Sequence, residues 1–105
     1  MRFIETSIFT REVCNFFEDE EYRALQFALL LRPEQGIIIP GTNGLRKLRW
    51  GLKGKGKQGG CRVIYYWDKK DEAFYMLFVY SKSKQDDLTP VQIRVLSKLV
   101  QEEFK

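Results

Sequence analysis

Two runs decide the fold: Cys61-Arg62-Val63-Ile64-Tyr65-Tyr66-Trp67 and Phe74-Tyr75-Met76-Leu77-Phe78-Val79-Tyr80, joined through the charged turn Asp68-Lys69-Lys70-Asp71-Glu72. Both are rich in β-branched and aromatic residues, and together they read as a hairpin. Both are apolar at nearly every position, as expected of central strands covered on two faces. Arg62 breaks that pattern at the start of the first run. An arginine there must present its five donors to something, and Ile64 and Tyr66 share its face.

Upstream lies Leu45-Arg46-Lys47-Leu48-Arg49-Trp50-Gly51-Leu52-Lys53. As a strand it places Leu48, Trp50 and Leu52 on one face, the core, and Lys47, Arg49 and Lys53 on the other, which is cationic. Gly54-Lys55-Gly56-Lys57-Gln58-Gly59-Gly60 is a loop by composition, because glycine loses the most backbone freedom in a regular element. Residues 36–44 read as a turn-rich connection around Ile37-Ile38-Ile39. Downstream, Thr89-Pro90-Val91-Gln92 is a helix opening, with Thr89 as N-cap, Pro90 in the first position and Gln92 as capping-box partner. That helix is expected to run to about Phe104, laying Ile93, Leu96, Val100 and Phe104 against the sheet.

Toward the N-terminus, residues 2–7 read as a strand, and Phe9, Val13, Phe16 and Phe17 recur at helical spacing. The cluster Glu18-Asp19-Glu20-Glu21 suits the positive end of a second helix with apolar positions Tyr22, Leu25, Ala28 and Leu29. Pro33 and Gly36 end it. Successive helices with a short connection predict an antiparallel pair whose apolar stripe lies on the sheet. The expectation is one compact α+β domain over residues 1–105, in the order β-α-α-β-β-β-α, with an antiparallel meander packed by helices.

Composition narrows the chemistry. The chain has 105 residues, 44% of them apolar and 30% charged, with eight Phe, five Tyr and two Trp, as a folded domain requires. It contains no histidine and only two cysteines, which excludes a histidine-based catalyst, a Cys/His zinc site and a disulfide framework. Cys14 and Cys61 are expected to be small core hydrophobes. No apolar run approaches a membrane span and no secretory leader is expected, so the expected location is the cytosol. No metal or other cofactor is expected.

Charge is unevenly distributed. Residues 1–44 hold four basic and seven acidic side chains, residues 46–70 nine basic and one acidic, and residues 71–105 five basic and six acidic. The formal excess of +4 therefore comes from the central segment. Such a field attracts polyanions, of which nucleic acid is the commonest in the cytosol. A solvated basic face is the plainer explanation. Arg62 has a plain alternative too, a structural ion pair with an acidic residue. Asp86 and Asp87 precede Leu88-Thr89-Pro90 and are expected to serve the positive end of the last helix.

The order Leu45-Arg46-Lys47-Leu48-Arg49, then Gly54-Lys55-Gly56-Lys57-Gln58-Gly59-Gly60-Cys61-Arg62-Val63-Ile64-Tyr65-Tyr66, resembles the RelE/HigB superfamily of bacterial toxins, and most closely its HigB-like branch. Tyr80-Ser81-Lys82 at a strand end and Asp87-Leu88-Thr89 at a helix opening extend the likeness over nearly the whole chain. The resemblance implies a RelE-like fold and a ribosome-dependent endoribonuclease of a type II toxin-antitoxin system. Such an enzyme cleaves messenger RNA in the bacterial cytoplasm and is held inactive by a cognate antitoxin. That antitoxin is expected to be a DNA-binding helix-turn-helix protein, with operator DNA contacted only through the complex and no membrane involved. Arg62 falls on the family's catalytic arginine, Lys53, Lys55 and Lys57 match its basic loop as a group, and Lys82 lies where it carries a basic residue. Two positions depart from the RelE branch: Ser83 stands where that branch has an arginine, and Thr89 where it has a tyrosine. Lys84 or Tyr80 is available to compensate.

The chemistry is compatible with these residue types. RNA carries its own nucleophile, the 2′-hydroxyl, so the enzyme need only assist its deprotonation, stabilise the phosphorane and protonate the departing 5′-oxygen. Within a cationic cluster each lysine loses basicity, so Lys53, Lys55 or Lys57 can exchange protons while Arg62 clamps the phosphate. Lys47, Arg49, Tyr80 and Lys84 are the expected RNA-binding residues, tyrosine faces being platforms for unpaired bases. A non-catalytic RNA- or ribosome-binding module would use the same face, and so would a small protein that docks an acidic partner.

Overall fold

A computed structural model describes residues 2–51, 60–85 and 87–104, apart from the side chains of Glu103 and Phe104. The chain runs β1 (Arg2–Glu5), α1 (Ser7–Phe16), α2 (Asp19–Leu31), β2 (Ile37–Ile38), β3 (Leu45–Trp50), β4 (Cys61–Asp68), β5 (Ala73–Ser81) and α3 (Pro90–Leu99), closing with a π-helical turn, Val100–Phe104. Thr6 starts α1 by accepting from the Phe9 amide at 3.0 Å, and its hydroxyl donates to the Leu77 carbonyl at 2.8 Å, which pins the helix start to β5. At α2 the Glu21 carboxylate accepts from the Glu18 amide at 3.0 Å, and Asp19, Glu20 and Glu21 fill the acidic first turn. The expected cap of α3 forms: the Thr89 hydroxyl accepts from the Gln92 amide at 3.1 Å, and the Gln92 side chain accepts from the Thr89 amide at 2.9 Å.

The five strands lie in the order β1-β5-β4-β3-β2. β2, β3, β4 and β5 pair antiparallel, so the meander is as expected, while β1 pairs parallel with β5. A parallel neighbour needs a crossover connection, and here it is the whole span from α1 to β4, which crosses one sheet face on the two helices and returns through β2, β3 and β4. The structure adds β2 to the expected order. Ile37 and Ile38 sit opposite Lys47 and Arg46 at a sheet edge, two residues too short for periodicity to reveal.

Each face of the sheet carries its own core. On one face Phe9, Val13, Leu25 and Leu29 from the first two helices, with Phe17 at the C-cap between them, pack on Leu48, Val63, Tyr65, Phe74 and Met76, so the helical stripe does lie on the sheet. On the other, Leu45, Ile64, Leu77 and Tyr80 meet Leu88 and Val100, with Ile93, Leu96 and Leu99 of α3 against them. A bulge at Ile64/Tyr65 sends Phe78 and Leu77 of β5 to the same side. β4 and β5 are thus central and covered twice, as their unbroken apolar runs predict. The β3 face read as cationic is only partly so: Leu45 shares it with Lys47 and Arg49 and is fully buried. Lys47 and Arg49 follow Leu45 along the strand, Lys47 lining a recess with Leu88 and with Ile93 of α3.

Gly60, just before β4, has φ +75°, and a Cβ there would lie 2.1 Å from the Trp50 carbonyl oxygen. Only glycine permits that approach where β3 and β4 converge.

Candidate nucleic-acid interface

Strand register assembles the site. Arg49 of β3 pairs with Arg62 of β4, and Arg62 pairs with Tyr80 of β5. The three side chains therefore form a row across three strands on one face, with Lys47 two residues along β3 on the same side. Directly opposed like charges destabilise a sheet, so the row is maintained against a local electrostatic cost.

Arg62 sits at the centre of the row and is only 6% exposed. Among the described residues it makes one hydrogen bond, Nη1 donating to the Cys61 carbonyl at 3.3 Å, and no carboxylate lies within ion-pair distance of it. A structural ion pair is therefore not what holds it, so far as the described residues go. The planar guanidinium fork is the donor geometry that binds a phosphate or a carboxylate. Arg49 beside it is exposed.

Tyr80 closes the row. It is 5% exposed, and its hydroxyl is buried with no hydrogen-bond partner among the described residues. Burial pushes its pKa up, the Asp87 charge adds to that, and Arg62 opposes it. The phenol therefore stays protonated near neutral pH and is a hydrogen-bond donor, not a phenolate base.

At the other end of the row Lys47 Nζ donates to Asp87 Oδ1 at 2.5 Å. The hydrogen bond and charge of Lys47, joined by the charges of Arg49 and Arg62, hold the Asp87 carboxyl below the usual carboxylate range. The expectation that Asp87 serves the last helix is therefore corrected. Thr89 and Gln92 cap α3 by themselves, and the Asp87 carboxylate is spent on a lysine 40 residues away. No signal in the sequence foretells a pairing across that separation. Asp86 lies outside the described residues.

The remaining expected residues divide. Lys53, Lys55 and Lys57 lie outside the described residues. Lys82 is exposed in the turn directly after β5. Lys84 lines a recess of about 230 Å³ with Tyr80, Ile8, Glu12 and Phe16, on the flank that faces α1. It therefore stands to one side of the row and not in it. Ser83 is bound locally, its amide donating to Ser81 Oγ at 3.1 Å. Tyr65 faces away from Arg62 as expected and is fully buried, its hydroxyl donating to the Pro33 carbonyl at 2.7 Å and accepting from the Gly36 amide at 3.0 Å.

The cysteines also divide. Cys61 is a buried core residue whose thiol burial pushes up to about 12. Cys14 is exposed, contrary to expectation, because it follows the buried Val13 and so falls on the solvent side of α1. Among the described residues no group of three or more His, Cys, Asp or Glu is placed to hold a metal ion, and no helix is long and apolar enough to cross a membrane.

A family model described as the RelE toxin of the RelE/RelB toxin-antitoxin system matches residues 33–105. That span runs from the turn after α2 to the C-terminus and includes every member of the row.

Proposed function

The chain belongs to the RelE toxin family, and from that membership we propose that it is a ribosome-dependent endoribonuclease of the HigB-like branch, cleaving messenger RNA without a metal ion. The observation that supports this reading best is the row itself: Arg62, nearly buried and without an acidic partner among the described residues, between Arg49 and Tyr80. Arg62 would hold the scissile phosphate through its fixed fork and stabilise the charge that develops on the phosphorane. The protonated Tyr80 hydroxyl would donate to the same phosphate or to a neighbouring base. Arg49 and Lys47 would bind flanking phosphates.

The proton transfers fall to lysines in this proposal. One of Lys53, Lys55 and Lys57, or Lys82, would take the 2′-proton or return one to the 5′-oxygen, its basicity lowered by its cationic neighbours. Attack by the 2′-oxygen on phosphorus expels the 5′-oxygen and leaves a 2′,3′-cyclic phosphate. The partners proposed are the ribosome with its message and a cognate antitoxin that carries the DNA-binding helix-turn-helix, with operator DNA reached only through that complex. The bacterial cytosol is the proposed location.

The test is end-group analysis on ribosome-bound message incubated with the purified chain. Cleavage that persists in chelator wherever the ribosome stays intact, with 2′,3′-cyclic phosphate or 3′-phosphate ends, agrees with the proposal. A 2′-deoxynucleotide at the scissile position should abolish it. Ends bearing 3′-hydroxyl and 5′-phosphate would make water the nucleophile and refute the chemistry. Tight association with no cleavage would leave a non-catalytic RNA-binding module.

A further inference from the structure

The Lys47–Asp87 pair is unequal. Lys47 is seated in the sheet, its side chain 21% exposed, whereas the Asp87 side chain is 71% exposed. The loop that carries Asp87 is anchored independently of the pair, since Gln85 Nε2 donates to the Asp87 carbonyl at 2.7 Å and to Gln92 Oε1 at 3.0 Å. The carboxylate can therefore swing away while its loop and the α3 cap remain in place. In the resting structure it lies at the end of the row, within the field of Arg49 and Arg62 as well as Lys47. Two oxygens bearing a negative charge, set on a lysine beside two arginines, occupy the place a phosphate would take.

We propose that Asp87 is a resident competitor for nucleic-acid phosphate at Lys47, so that RNA gains the full cationic row only by displacing it. This rests on the reading of the row as an RNA surface. Free RNA, which offers the row little beyond its phosphates, must break the pair before using Lys47. A message that arrives with further contacts of its own meets the same cost with binding energy in hand. Asp87 is thus a specificity residue that weakens the toxin's hold on RNA at large, and it is not a catalytic group.

The pair is exposed enough for its loss to be mild, and Asp87→Asn keeps shape while removing charge. The measurement is fluorescence anisotropy of the full chain with a short labelled single-stranded RNA, 2′-O-methylated throughout so that it cannot be cleaved by its own 2′-oxygen, over a series of KCl concentrations. Asp87→Asn should bind about two- to five-fold tighter at low salt, the span typical of an exposed ion pair. Its log K against log salt slope should steepen by about 0.7, one more phosphate being neutralised. In the Lys47→Ala background the same change should give little gain, and Asp87→Ser should behave as Asp87→Asn does.

Equal gains with and without Lys47 would reduce the effect to net charge and overturn the proposal, as would no gain or a loss in Asp87→Asn. If Lys47→Ala and Arg49→Ala both bind like the wild type, the row is not an RNA surface and the proposal falls with that reading. If those two variants bind weakly while Asp87→Asn gains nothing, the surface stands and only the competitor role fails.

Discussion

Replacing Arg62 by alanine separates a functional arginine from a structural one, because the two readings differ in how much stability the change costs. Were Arg62 half of a buried ion pair, truncation would strand the partner charge at a cost of about 3–5 kcal/mol. In this fold no carboxylate among the described residues pairs with it, and its one hydrogen bond there runs 3.3 Å to the carbonyl of its own neighbour, Cys61. Truncation therefore strands no acid among the described residues. It loses the packing of the side-chain stem and relieves the opposition of Arg49 across the strand pair, terms of opposite sign that leave stability within about 1.5 kcal/mol of the wild type. Activity should respond differently. A preorganised donor aimed at developing charge is commonly worth about 100- to 1000-fold in rate, so Arg62→Ala should lose that much in single-turnover cleavage of ribosome-bound message and cease to arrest growth. Arg62→Lys should recover little, since one ammonium cannot replace a planar fork. Urea unfolding followed by tryptophan fluorescence supplies the stability arm. A cooperative loss of about 3 kcal/mol or more would restore the ion-pair reading, and full cleavage by a folded Arg62→Ala would place the active site elsewhere.

Three further outcomes follow from the packing. Tyr65→Phe removes the hydroxyl that serves both the Pro33 carbonyl and the Gly36 amide, and leaving that buried amide unpaired should cost about 1–3 kcal/mol in urea unfolding. Gly60→Ala forces a Cβ toward the Trp50 carbonyl at a positive φ and should lower stability by at least about 2 kcal/mol, with Gly51→Ala, which meets nothing within 4 Å, as the milder control. The Cys61 thiol ionises near 9 when exposed and near 12 when folded, so its contribution to stability is complete below about pH 9 and is lost as pH rises toward 12. At pH 8 a thiol reagent should modify Cys14 rapidly in the native protein and Cys61 only after unfolding, and two fast-reacting thiols in the native state would contradict the burial.

Local sequence determined most of the scaffold. The doubly apolar runs at Cys61–Asp68 and Ala73–Ser81 encode central strands, and Thr89-Pro90-Val91-Gln92 encodes a helix start, because each signal is completed within a few residues by backbone conformation, side-chain alternation or a reciprocal cap. The same alternation placed Arg62 opposite Tyr65 and put Lys47 and Arg49 on one face. Long-range pairing decided the rest. Whether Arg62 would meet an acid or another cation depended on strand register, and register set Arg49 against it on one side and Tyr80 on the other. The parallel docking of β1 on β5 and the edge strand Ile37–Ile38 depend on partners far along the chain, which no local period records. Asp87 shows the limit most clearly. Its neighbours in sequence favour service to the α3 N-terminus, yet Thr89 and Gln92 already fill that need, and a bare carboxylate beside three cations gains more by turning to Lys47.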